Sequence, residues 1–164
     1  MTSPDPVDTA WKIHAALADW TGKVDTKATF ALTIESALIA GVVTLSADGR
    51  PLNGLTGWAA MWYWCGTLLL AAGAVTAGSV VRPRLRKAEL QAESEGNFIY
   101  FGHLQHLTPD QIAEHLKETA LLPVLSKQLS EMSKIAWKKH RQVQLSLSFA
   151  PVGVACLFIA STYG

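Results

Sequence analysis

Charged side chains vanish from two long stretches of the chain and nearly vanish from a third. From Pro51 to Val81 there is no Asp, Glu, Lys or Arg, a run well beyond the roughly 20 apolar residues that a spanning helix needs. Val143 to Gly164 is also free of charge. Pro151 within it is expected to bend that helix rather than end it, because membrane helices find other partners for the carbonyl a proline frees. Ala28 to Ala47 is interrupted only by Glu35, and a carboxylate at mid-span costs on the order of a few kcal/mol unless it is paired or wet. The pattern predicts three transmembrane helices, one of them with a polar irregularity.

Helical periodicity also fills the segments between. Asp5-Pro6 has the form of an N-cap followed by proline at the first helical position, and Ile13, Leu17, Trp20 and Val24 recur every three to four residues. An amphipathic helix leading into the first span is expected there. Ala88 to Ser94 keeps helical composition up to Gly96-Asn97, a pair suited to a left-handed stop. The aromatic stretch from Asn97 to Leu107 ends at Thr108-Pro109-Asp110-Gln111. Thr108 can cap there while Gln111 reaches back, which predicts a short helix from Pro109 to about Leu121. A last helix is expected from Pro123, with Leu122, Leu125, Leu129, Met132, Ala136 and Val143 in a heptad-like alternation that runs into the third span. The fold class is an all-α membrane protein with three transmembrane helices and a cytoplasmic helical region, the last helix continuous with the third span. Its parts are the N-terminal amphipathic helix 1–27, spans 28–47 and 58–81 joined by a short external link 48–57, a cytoplasmic helical region 82–141, and span 142–164.

Basic residues set the expected orientation. Lys12, Lys23 and Lys27 precede the first span, only Arg50 lies in the link, Arg82, Arg84, Arg86 and Lys87 follow the second span, and Lys138, Lys139 and Arg141 precede the third. By the positive-inside rule the amino terminus and 82–141 share the cytoplasm while Gly164 is external. Trp58, Trp62, Tyr63 and Trp64 then fall at the outer headgroup level, and Trp20 and Trp137 near the inner one, as anchors. The region before the first span is too long and too structured for a cleaved leader.

Composition narrows the functions. Of 164 residues 49% are hydrophobic and only 16% charged, against about 25% charged in soluble domains. The net charge of +1 offers no field for nucleic acid. Cys65 and Cys156 sit inside apolar runs and read as small hydrophobes. His103 and His106, with Glu114 and His115 nearby, lack the metalloprotease pattern of two histidines four apart with a Glu, so cap or surface roles are simpler and no metal is expected. With no nucleophile elbow, no phosphate-cradling loop and scattered carboxylates, no catalytic residues and no enzyme are expected. Glu35 either lines a polar path or pairs between subunits, or it is a hydrogen-bonded packing residue. Gly66, Gly73, Ala74, Ala77 and Gly78 form small-xxx-small faces that suit a homo-oligomer or packing within one protomer.

Three segments, in this order, resemble a known family. Asp25-Thr26-Lys27-Ala28 stands at the membrane mouth, Phe98-Ile99-Tyr100-Phe101-Gly102-His103 precedes a Thr-Pro-capped helix, and Ser133-Lys134-Ile135-Ala136-Trp137-Lys138-Lys139-His140 approaches the last span. Together they resemble the Pycsar transmembrane effectors (PycTM) over nearly the whole chain, from about Trp11 onward. The resemblance implies an antiphage effector paired with a pyrimidine cyclase. Cyclic UMP or cyclic CMP would be its activating ligand, there would be no other cofactor, and loss of inner-membrane integrity would arrest or kill the infected cell. Glu35 departs from the neutral or merely polar residue expected of the family. No β-barrel cyclic-nucleotide domain is present, so a pocket must be built from helices. A cyclic pyrimidine nucleotide needs an aromatic face, polar partners for the base and a positive phosphate site. Tyr100 or Phe101 would stack, Asn97 or Gln105 would read the base, and His103, the N–H groups near Thr108, or Arg84 and Arg86 would hold phosphate. Core packing and lipid contact are the simpler fates of these residues taken singly. Asp25 and Lys27 are a candidate gate pair, or a helix-start carboxylate and a snorkelling lysine. The alternative function is a small membrane scaffold or signalling partner that acts through protein contacts without nucleotide.

Overall fold

The computed structural model describes residues 4–83 and 97–164, and among them every regular element is a helix. Helix α1 (Pro6–Leu45) is 40 residues long and starts where the N-cap was expected, with the Val7 N–H donating to Asp5 Oδ1 at 2.9 Å. After a loop, α2 (Gly57–Val81) runs for 25 residues. Then come α3 (Phe101–Leu104), α4 (Pro109–Glu118) and α5 (Leu121–Tyr163), the last 43 residues long. Pro151 lies inside α5 without ending it. The expected helix Ala88 to Ser94 and the Gly96 side of its stop lie outside the described residues.

Two boundaries differ from expectation for one reason. Helix α4 stops at Glu118, where Thr119 turns extended, and α5 starts at Leu121 rather than Pro123. A proline in the first turn removes an N–H that has no intrahelical acceptor there, so the new helix begins ahead of it and takes Leu121 and Leu122. Start signals within α4 act as read: Thr108 Oγ1 accepts from the Gln111 N–H and Gln111 Oε1 from the Thr108 N–H, closing a capping box.

Helices α1, α2 and α5 are long and apolar enough to cross a membrane. At about 1.5 Å per residue, α1 and α5 are about 60 Å long, twice the hydrocarbon thickness of roughly 30 Å, while α2 is long enough to cross once. The chain divides into two compact units, one formed by the residues up to Gly22 with Pro83–Trp137, the other by Lys23–Arg82 with Lys138–Gly164.

The second unit is a three-helix bundle. Its buried line on α1 is Val24, Ala28, Ala31, Glu35 and Val42, on α2 Ala59, Gly66, Leu70, Gly73, Ala77 and Val80, and on α5 it includes Val143, Ser146, Leu157 and Ala160. These positions recur at helical spacings, which leaves Phe30, Val75 and Phe158, each over 70% exposed, to face lipid. Helices α2 and α5 meet backbone to backbone: a Cβ on Gly66 would lie 2.7 Å from the Gly153 carbonyl oxygen, and one on Gly153 would lie 3.0 Å from that of Gly66. Small residues permit this approach. Gly66, Gly73 and Ala77 are thus used inside the protomer, whereas Gly78 faces open space. Towards the α1–α2 loop the core is mainly apolar, with Val42, Leu70, Leu157 and Ala160 joined by Leu52, a loop residue held by its N–H to the Leu45 carbonyl at 3.0 Å, and edged by Trp62 and Tyr63, whose hydroxyl meets that of Ser46 at 3.1 Å.

In the first unit, Ala10, Leu17, Phe98, Val124, Leu125 and Ala136 are buried. The buried line of α1 here runs through Ala10 and Leu17, seven apart, so Ile13 and Trp20 of the expected stripe sit to its side and are exposed. Leu122 is likewise exposed in the first turn of α5.

Candidate functional site

Polar side chains of the membrane bundle meet one another along a seam between α1, α2 and α5. On α5, Lys139, Gln142 and Ser146 are three and four residues apart and so share a face. At one end of the seam Lys139 Nζ donates to both Asp25 oxygens, at 2.6 and 2.8 Å. One turn further along α5, Gln142 Nε2 donates to Ser79 Oγ of α2 at 3.1 Å. Deepest lies Glu35, only 1% exposed, whose Oε1 accepts from the Ser146 hydroxyl at 2.8 Å.

Glu35 is held by shape as well as by hydrogen bonding. A Cβ on Gly73 would stand 2.5 Å from Glu35 Oε1 and 3.0 Å from its Cδ, so only glycine on α2 leaves room for the carboxyl group. Its second oxygen, Oε2, and Gln142 Oε1 are buried without a hydrogen-bond partner. An unmet buried acceptor is costly, and such groups concentrate where a fold serves something besides its own stability. Beyond Glu35 along α1 come Leu38, Ile39 and Val42, which belong to the apolar core. Polar partners therefore follow one another from Asp25 to Glu35, and a mainly apolar core fills the part beyond Glu35.

Asp25 pairs with Lys139 rather than with Lys27, which is exposed. Residues two apart on a helix point in different directions, so the two candidate gate residues Asp25 and Lys27 do not face each other. Asp25 takes its cation from α5 instead.

The first unit holds the aromatic stretch from Asn97 to Leu107. Phe98 is buried and its ring stacks on that of His115 at 5.3 Å and 7°. Tyr100 lies 4.5 Å from Phe101 and meets His103 edge-on at 5.3 Å. Gly102 makes room for the Tyr100 ring, which a Cβ there would strike. Asn97 and His103 are buried, Tyr100 is half-buried, and Phe101 is exposed. Gln105 is turned back on its own helix, its Nε2 donating to the Gly102 carbonyl at 3.0 Å. His106 is exposed while His103 points inward, and among the described residues no three His, Cys, Asp or Glu side chains gather as metal ligands. Arg84 and Arg86 lie outside the described residues.

Residues 9–164 match the family described as Pycsar effector protein domain, PycTM. The chain belongs to this Pycsar effector family. Membership supports a Pycsar antiphage effector role for a membrane protein of this architecture. No curated protein and no solved structure gives a match.

In this Pycsar effector the expected polar residues Glu35 and Asp25 both fall in the seam, but sequence reasoning missed their partners Ser146, Lys139 and Gly73. A signal was present. Lys139, Gln142 and Ser146 are the polar positions at helical spacing where α5 turns apolar, and a carboxylate in a span requires a donor on a neighbouring helix.

Proposed function

We propose that this Pycsar effector responds to cyclic UMP or cyclic CMP made by a partner cyclase and then impairs the integrity of the bacterial inner membrane. The observation that carries the reading is the buried Glu35, seated against Ser146 and Gly73 with one oxygen unpartnered. A bundle needing only to be stable would place an apolar residue there. In this reading the amino terminus and residues 82–141 face the cytoplasm, and the first unit receives the nucleotide. The exposed Phe101 stacks the base beside Tyr100, Asn97 reads the base edge, and Arg84 and Arg86 with the His103 turn meet the phosphate.

Helices α1 and α5 each contribute residues to both units, so nucleotide-dependent repacking around α3 can act on the seam through continuous helix. The ligand shifts the balance between closed and leaking arrangements of an oligomer only by its difference in affinity for the two. The protein acts without catalysis. Dye release from liposomes holding the purified protein, titrated with cyclic UMP, cyclic CMP and cyclic AMP, tests this. Pyrimidine-selective release that is lost in Phe101→Ala supports it. No release from folded protein under any nucleotide refutes it and favours the scaffold function.

A further inference from the structure

We infer that Glu35 makes the leak through this bundle selective for cations. The inference rests on the membrane-impairment reading above and adds what passes. Of the three polar layers in the seam, Asp25 and Lys139 cancel in charge, while Ser79 and Gln142 are neutral. Glu35 alone is left to carry a net charge once water enters, because a hydrated carboxylate is ionised at neutral pH. Its Oε2 and Gln142 Oε1, both buried and without donors, are oxygen acceptors of the kind that replace part of a cation's hydration shell. The donors beside them, the Ser146 hydroxyl and Gln142 Nε2, are already engaged with Glu35 and Ser79. The neighbouring Leu38, Ile39, Val42 and Leu70 form the constriction that keeps the path dry until the helices move, as hydrophobic gates do. One unit charge acting over about 12 Å at an effective dielectric of about 20 favours a cation about tenfold and disfavours an anion about tenfold, a preference of about a hundredfold.

The full chain in planar bilayers, under a KCl gradient with cyclic UMP or cyclic CMP, reads this as a reversal potential. Wild type should reverse toward the potassium potential, Glu35→Gln near zero, and Glu35→Lys toward the chloride potential. Moving the carboxylate across the seam in Glu35→Gln/Ser146→Asp should restore cation preference, because the two side chains touch at 2.8 Å; a merely structural Glu35 would not be rescued in this way. Current that does not discriminate between ions, or whose selectivity the variants leave unchanged, overturns the inference while membrane impairment stands. No current from folded protein with either nucleotide overturns both.

Discussion

Replacing Gly73 by alanine adds one methyl group to α2 at the point where Glu35 comes closest. The new Cβ would stand 2.5 Å from Glu35 Oε1 and 3.0 Å from its Cδ, far inside ordinary contact. Glu35 cannot retreat freely, being buried and tied to Ser146 at 2.8 Å. Either that hydrogen bond breaks or α2 shifts. Overpacking of this kind costs about 1–3 kcal/mol, and the interhelical hydrogen bond itself contributes about 0.6 kcal/mol and at most about 1.7 in a membrane protein. The two together predict a destabilisation of about 2 kcal/mol for Gly73→Ala. Reversible unfolding in mixed detergent micelles, followed by tryptophan fluorescence and helical circular dichroism, measures it. Because the penalty arises from one pair, Glu35→Ala should relieve it, and the double-mutant cycle should return a coupling of at least about 1 kcal/mol. Gly78→Ala, with nothing within 4 Å of its added Cβ, is the matched control and should cost nothing or gain up to about 1 kcal/mol from helix propensity. If Gly73→Ala is as damaging without Glu35 as with it, to within about 0.5 kcal/mol, the pocket for the carboxyl group is not as described.

Cys156 packs on α2 beside Cys65, a Cβ on the adjacent Gly66 falling 3.1 Å from the Cys156 Cβ. Copper-phenanthroline should join them in a disulfide, the two thiols losing their protons and passing two electrons to the oxidant; thiols that stay open to maleimide after oxidation contradict this packing. Phe98→Ala removes a buried ring and should destabilise the first unit by about 3–5 kcal/mol, whereas the exposed Phe101→Ala should leave stability within about 0.5 kcal/mol and lose nucleotide response. A melting temperature lowered equally by both would show that Phe101 is core. Thr108→Ala opens the capping box and should cost about 1 kcal/mol, read as faster amide exchange confined to α4; unchanged exchange would mean the cap is idle. Lys139→Ala leaves the half-exposed Asp25 without its partner and should cost no more than about 1 kcal/mol, less at high salt. A larger loss that ignores salt would place the pair in a dry environment.

Helix identity was legible in the sequence because it is local. Charge-free runs as long as a bilayer is thick, an Asp-Pro start and a Thr-Pro-x-Gln cap act on neighbouring residues, so α1, α2, α4 and α5 could be read before any packing was known. The all-helical membrane architecture and the Pycsar family followed from those segments and their order. The Leu121 start of α5 was missed because a proline tolerated anywhere in a first turn does not mark the first residue.

Partners were another matter. Glu35 declared itself as the one charge in a span, yet whether it met lipid, another subunit or another helix depended on the rotation and depth of α2 and α5, and many rotations bury apolar side chains about equally well. Tertiary structure decided it by bringing the Ser146 hydroxyl within 2.8 Å and leaving Gly73 without a side chain at that level. The same holds for Asp25, which found Lys139 more than a hundred residues away instead of Lys27 two positions along its own helix. Sequence by itself determined which segments are helices and which of them suit a bilayer, because hydropathy and capping are properties of short stretches. Only the tertiary structure decided which polar groups face each other, because a contact between distant segments is set by how three helices interlock.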